Sequence, residues 1–144
     1  MFDAGANATL TIMIKNSTTG EKPAVTGPFD KIQAISFEDS KNVTVSGDTV
    51  TFNSTDSYIA FTLDFGSEKA TKVATYVKQL PNNSGRLFVR SGSLSATVGQ
   101  VYNLGNGSWK EVSSSGNPNL TGKTTVYIQA NKPGVEMKWV QFMK

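Results

Sequence analysis

The chain has 144 residues, 38% hydrophobic and 17% charged, which suits one globular domain able to bury its own core and excludes a disordered tail. Cysteine and histidine are both absent, which removes disulfides, thiolate nucleophiles, zinc sites with their usual ligands and imidazole acid–base chemistry. The net charge of +3 comes from scattered lysines and arginines, and no stretch approaches the roughly 20 apolar residues of a membrane span, so neither nucleic acid nor a membrane is an expected partner.

In chain order, residues 8–14 (Ala8 to Ile14) alternate like a short strand, and Lys15 to Gly27, rich in Thr, Lys, Gly and Pro, read as a linker or extended arm. The folded unit is expected from Pro28 onward. Strand candidates follow at Lys31–Phe37, at Asn42–Val45 and Asp48–Phe52 around the turn pair Ser46-Gly47, and at Ser57–Leu63. Thr71–Lys78 sets Val73, Thr75 and Val77 on one face and Lys72, Ala74, Tyr76 and Lys78 on the other. The turn cluster Pro81–Gly85 leads into Arg86–Arg90, where Arg86, Phe88 and Arg90 alternate with Leu87 and Val89. Leu94–Tyr102, Ser108–Val112, Thr124–Ala130 and Val135–Phe142 complete the series. No window carries a 3.6-residue apolar period. About nine or ten short strands at regular spacing predict an all-β fold, a two-sheet antiparallel β-sandwich of jelly-roll-like topology, in one domain.

The acids do not make an enzyme. A glycosidase needs two carboxyl groups roughly 5 to 10 Å apart across a sugar. Most acids here fall in turns or at strand ends, and the adjacent pair, Glu38-Asp39, would point to opposite faces of a strand. Serine is plentiful, but it has no histidine to activate it. Gly105-Asn106-Gly107 lies between strands and lacks a phosphate-loop pattern. What remains is a sheet scaffold with aromatic residues near its loops: Phe52, Tyr58, Tyr102 and Trp109. A sugar packs its C–H face on such a ring while its hydroxyls take polar partners; for each ring alone, a place in the core is the more ordinary role. A mildly anionic glycan would suit the chain's charge.

Four segments carry a resemblance. Pro28–Ile35 looks like an opening strand; Asp56–Phe61 with Leu63-Asp64-Phe65-Gly66-Ser67 is similar to a Gly-Asp-Trp-Ile segment and its following Asp-Phe-Gly; Gly107–Val112 matches a loop-then-Trp strand; Met137–Phe142 matches a closing strand. In this order and spacing they resemble the family 6 carbohydrate-binding modules, related to families 35 and 36, over most of the chain. The leader, with Thr11-Ile12-Met13-Ile14-Lys15 and Val25-Thr26-Gly27, looks like the connector that follows family 43 glycoside hydrolase domains.

The resemblance implies a tail of a preceding catalytic domain at 1–27 and a carbohydrate-binding module at 28–144. It implies a secreted parent enzyme, a monomeric module, and plant cell-wall polysaccharide, xylan or arabinoxylan, as the ligand. The alternative is a structural spacer that docks on the catalytic domain with little sugar affinity. In the family, two aromatics sandwich a sugar ring in an end-loop cleft and an Asn near the last strand bonds a hydroxyl. Carried over, Phe52 falls at the first aromatic, Asn106 at the second, and Glu136 at the Asn. Trp109 is either the family's structural Trp or a substitute stacking residue. A second family site lies on a concave sheet face, where Tyr76, Arg86, Arg90, Tyr127 and Gln129 are candidates if they face outward together. The family's structural calcium takes hard oxygen ligands, and the matching positions here are Gln33, Ile35 and Lys138, none acidic; a shifted match restores only Glu38. The expectation is therefore no family-type calcium, with Lys138 filling the place and pairing with an acid.

Overall fold

The computed structural model describes Val25, residues 27–114 and residues 118–144; the strand expected at residues 8–14 and nearly all of the expected linker lie outside the described residues. Eleven strands are described: β1 (Ile32–Gln33), β2 (Asp39–Lys41), β3 (Val43–Ser46), β4 (Thr49–Phe52), β5 (Tyr58–Asp64), β6 (Lys72–Lys78), β7 (Leu87–Ser91), β8 (Thr97–Val101), β9 (Lys110–Ser113), β10 (Lys123–Ala130) and β11 (Val135–Met143). They form two antiparallel sheets. The first runs β9-β6-β11-β4-β3, with β1 also on β11; the second runs β2-β5-β10-β7-β8.

The period-two pattern fixes which side of each strand faces in. Val73, Thr75 and Val77 of β6 are buried, as are Leu87 and Val89 of β7 and Val126, Ile128 and Ala130 of β10. With Phe52, Ile59, Phe61, Met137 and Phe142 they fill the space between the sheets. Each Val, Leu, Ile, Phe or Met side chain among them contributes about 1.5–3 kcal/mol on burial. At one end Phe65 packs edge-on against both Phe29 and Phe142, at 5.5 Å each. The turn Gly47-Asp48 closes the β3–β4 hairpin between the paired Ser46 and Thr49, and Gly47 takes the positive φ (61°) that such a two-residue turn requires.

Two departures from simple alternation matter. Lys31–Phe37 is not one strand: Ile32 pairs with β11 in the first sheet, whereas Asp39 pairs with β5 in the second. The chain must cross between sheets, and Ala34–Ser36 do so as a 3-10 turn. In β11 the register slips between Met137 and Trp139, a bulge with Lys138 as the extra residue. Val135 and Met137 are buried before it, Val140 and Phe142 after it, so Lys138 and Trp139 both project from the outer face.

Candidate functional site

The cleft lies at one end of the sandwich, between the β6–β7 and β8–β9 loops, and encloses about 550 Å³. Its walls are Gln79, Asn82, Asn83, Ser84, Gly85 and Arg86 on one side and Tyr102, Asn103, Gly105, Asn106 and Lys110 on the other. The loops are tied across it. Gly107 N–H donates to the Gln79 carbonyl at 2.9 Å, and Asn82 N–H donates to Asn106 Oδ1 at 2.7 Å. Gln79, 7% exposed, turns its side-chain oxygen onto Gly85 N–H at 2.7 Å. The sharp folding of both loops shows in positive φ at Asn82, Ser84, Asn103, Gly105 and Gly107.

Tyr102 supplies the ring. The antiparallel register Leu87↔Val101 continues outward to set Arg86 opposite Tyr102, and the Arg86 guanidinium stands 4.7 Å from the ring centroid. Both groups donate to Gln100 Oε1, Tyr102 Oη at 2.7 Å and Arg86 Nη1 at 3.3 Å. The arginine backbone is held in turn by Asn131 Oδ1 at 2.8 Å. Tyr102 remains 36% exposed on the cleft. One aromatic ring, several carboxamides and two cations form a concave surface suited to a polyhydroxylated ligand.

Of the residues expected to bind sugar, Asn106 lines this cleft, with its oxygen committed to Asn82 and its amide nitrogen left for solvent or ligand. Phe52 does not. It is fully buried, because alternation along β4 points Val50 and Phe52 into the core, and its ring offers no face to a sugar. Trp109 and Glu136 lie on the outer face of the first sheet. There Glu136 meets Lys78 Nζ at 3.5 Å, and Trp109 stacks on Tyr76, which stacks on Trp139, with centroids 5.4 and 5.9 Å apart. Lys78 and Lys138 approach the Trp109 ring at 5.3 and 4.7 Å, and Lys31 the Trp139 ring at 4.4 Å. The ring faces are thus largely engaged within the protein.

The second candidate group does not face outward together. Arg90, Tyr127 and Gln129 share the outer face of the second sheet, Arg86 stands at its end in the cleft, and Tyr76 is on the opposite sheet. Tyr127 packs edge-on against Tyr58, Arg90 lies over Phe88, and Gln129 Nε2 donates to the Asp56 carbonyl. Sequence reasoning named Tyr102 only as a loop aromatic and missed Gln79 and Gln100. The available signal was register: Arg86 and Tyr102 stand at the facing ends of neighbouring strands.

The residues present do not fit the structural calcium that the resemblance implies. The Ile35 side chain has no donor, the Gln33 side chain offers one neutral oxygen, and Lys138 carries its ammonium to Trp109. Glu38 spends its carboxylate on Thr62, accepting from N–H at 2.9 Å and Oγ1 at 3.0 Å. Among the described residues no three Asp or Glu side chains cluster to hold a metal ion.

An all-β sandwich with a polar, aromatic-bearing end cleft is an arrangement that a carbohydrate-binding protein can use. The chain belongs to family 6 of the carbohydrate-binding modules, a non-catalytic family whose model matches residues 28–144. Among solved structures, a family 6 module from Clostridium stercorarium in complex with cellobiose is 25% identical, covering 84% of this chain and 98% of its own, with a TM-score of 0.72. A family 6 module from Clostridium cellulolyticum in complex with xylose is 18% identical, covering 83% of this chain and 100% of its own, with a TM-score of 0.71. A family 43 arabinoxylan arabinofuranohydrolase from Bacillus subtilis in complex with cellotetraose is 19% identical, with 90% of this chain covered, 30% of its own and a TM-score of 0.70. Among curated proteins nothing matches the chain.

Proposed function

We propose that the end-loop cleft binds plant cell-wall polysaccharide, xylan or arabinoxylan, and so holds a secreted glycoside hydrolase on its substrate. The observation that carries this reading is Tyr102 standing exposed beside the carboxamides of Asn82, Asn83, Asn103 and Asn106 in a cleft of about 550 Å³. A pyranose can lay its C–H face on the phenol ring while its hydroxyls exchange hydrogen bonds with those amides. The choice of xylan follows the likeness of the leader to connectors behind family 43 catalytic domains, with residues 1–27 as the tether. The fold shared with part of an arabinoxylan arabinofuranohydrolase is in keeping with it. Tethering would raise the effective concentration of substrate even where a single contact is weak.

The spacer alternative has one observation in its favour: among the described residues Tyr102 is the only aromatic lining the cleft, so none of them closes a second ring on the sugar from the other side. Affinity electrophoresis in gels containing xylan, arabinoxylan, β-glucan or no polysaccharide separates the two readings. Retardation by xylan or arabinoxylan, relieved in Tyr102→Ala, supports binding in the cleft. Unretarded migration in every gel leaves the spacer.

A further inference from the structure

We infer that the cleft selects a glycan bearing a carboxylate, a uronic acid residue, over its neutral counterpart. The inference rests on the cleft being the glycan site and adds the charge of its ligand. Two cations, Arg86 and Lys110, line the cleft, and none of its eleven lining residues is Asp or Glu. Three ion pairs join described residues, Lys41–Asp56, Lys78–Glu136 and Lys144–Glu68, and neither cleft cation takes part in any of them.

Arg86 is moreover held in place. Its backbone N–H is fixed by Asn131 Oδ1, its Nη1 donates to Gln100 Oε1, and its guanidinium carbon stands 4.7 Å from the Tyr102 ring centroid. A guanidinium carries five N–H donors in a rigid fork. Gln100 takes one of them, and most of the rest remain beside the ring on which a sugar would stack. A carboxylate matches such a fork with two parallel, charge-assisted hydrogen bonds, and a hydroxyl cannot. Lys110, exposed on the opposite wall, adds positive potential without demanding a fixed geometry. The geometry places hydroxyl recognition on the amides and acid recognition on Arg86, with Tyr102 between them.

Calorimetric titration of the whole chain tests this with three ligands: a neutral xylotetraose, the same tetraose carrying one glucuronic acid branch, and a trigalacturonate. At low salt the branched acid is expected to bind about tenfold more tightly than the neutral tetraose. The advantage should shrink in about 1 M salt, where the screening length falls to about 3 Å. In Arg86→Gln, and to a smaller degree in Lys110→Gln, the ratio of the two affinities should move toward one. The salt series on the unaltered chain keeps the test independent of how the variants fold. Equal affinity for acid and neutral tetraoses overturns the inference and leaves xylan binding standing. Tightest binding of the trigalacturonate upholds acid selection and overturns xylan as the backbone. No binding of any ligand overturns both. An acid preference left unchanged in both variants overturns its assignment to this cleft.

Discussion

The Arg86 guanidinium lies 4.7 Å from the centre of the Tyr102 ring, and Gln100 Oε1 accepts a hydrogen bond from each of them. One carboxamide thereby sets the position of both the ring and the charge. In the proposed binding mode Tyr102, and not Phe52, is the platform for the sugar.

Substituting these two rings should give opposite phenotypes. Tyr102→Ala removes an exposed ring, so melting should change little while affinity for xylo-oligosaccharide falls about tenfold, the equivalent of ~1.4 kcal/mol. Phe52→Ala empties a fully enclosed site and should cost about 3–5 kcal/mol of stability. Denaturant titration and calorimetry on both variants check the pair. Loss of affinity in a well-folded Phe52→Ala protein, with Tyr102→Ala still binding normally, would refute the assignment.

The loop ties make a second prediction. Gly105 has φ of 84°, and a Cβ at this position would run into the carbonyl oxygen of Ser108. Gly105→Ala should therefore carry about 1–3 kcal/mol of local strain, which the loop can relieve only by moving. Movement there displaces Asn106 and loosens its hold on Asn82 N–H, so affinity should fall even where the melting midpoint barely changes. Full affinity together with an unchanged melt would mean that the wall does not depend on this backbone conformation.

Trp109 and Trp139 stand outside the cleft, on the outer face of the first sheet, stacked on either side of Tyr76. Ligand entering the cleft should leave tryptophan emission nearly unshifted. Trp139→Ala, which removes the stack on Tyr76 and the cation contact from Lys31, should cost about 1–2 kcal/mol. A marked blue shift on adding oligosaccharide would move binding to the sheet face.

The non-acidic side chains at the positions matched to the family's calcium ligands lead to a simple expectation. Chelator or added calcium should leave the melting midpoint of the chain where it was, since Ile35 and Lys138 stand where acidic ligands are needed. A midpoint raised several degrees by millimolar calcium would show a site built from other oxygens.

Much of the fold was legible because burial between two sheets enforces a period of two. Val73, Thr75 and Val77, or Leu87 and Val89, announce their faces directly. What the pattern could not show is where strands change sheets or slip register. The break in Val135-Glu136-Met137-Lys138-Trp139-Val140, apolar at 135 and 137 and then at 140, was the mark of the bulge that turns Lys138 and Trp139 out together. Phe52 was misplaced because family position and local alternation disagree there, and its burial between strands decided for the core. Tyr102 and Arg86 meet only where the paired strands β7 and β8 end side by side, and Asn82 and Asn106 only through crossing loops. Such contacts are tertiary, and no local window contains them.

The acid side of the stability profile should answer to Asp56. Its carboxylate accepts from Lys41 Nζ at 2.6 Å and from Ser54 Oγ at 2.7 Å, and the lysine, followed by the serine, holds it below the ordinary aspartate range. A carboxyl lowered in the folded state supports folding above its unfolded value, and that support is lost as pH falls through the lowered one. Lys41 is raised by the same partner, so its support persists below the ordinary lysine value and fades as pH climbs through the raised one. Tyr58, raised first by burial and then by Asp39, fades on the same alkaline side. Asp56→Asn should therefore melt lower than the parent near neutrality, by a few degrees at most, and the two curves should converge in acid. Because both side chains of the pair are about half exposed, high salt should narrow the gap. Thermal melts from about pH 2 to pH 7 at two salt concentrations check this, and parallel curves at every pH would show that the pair contributes nothing to folding.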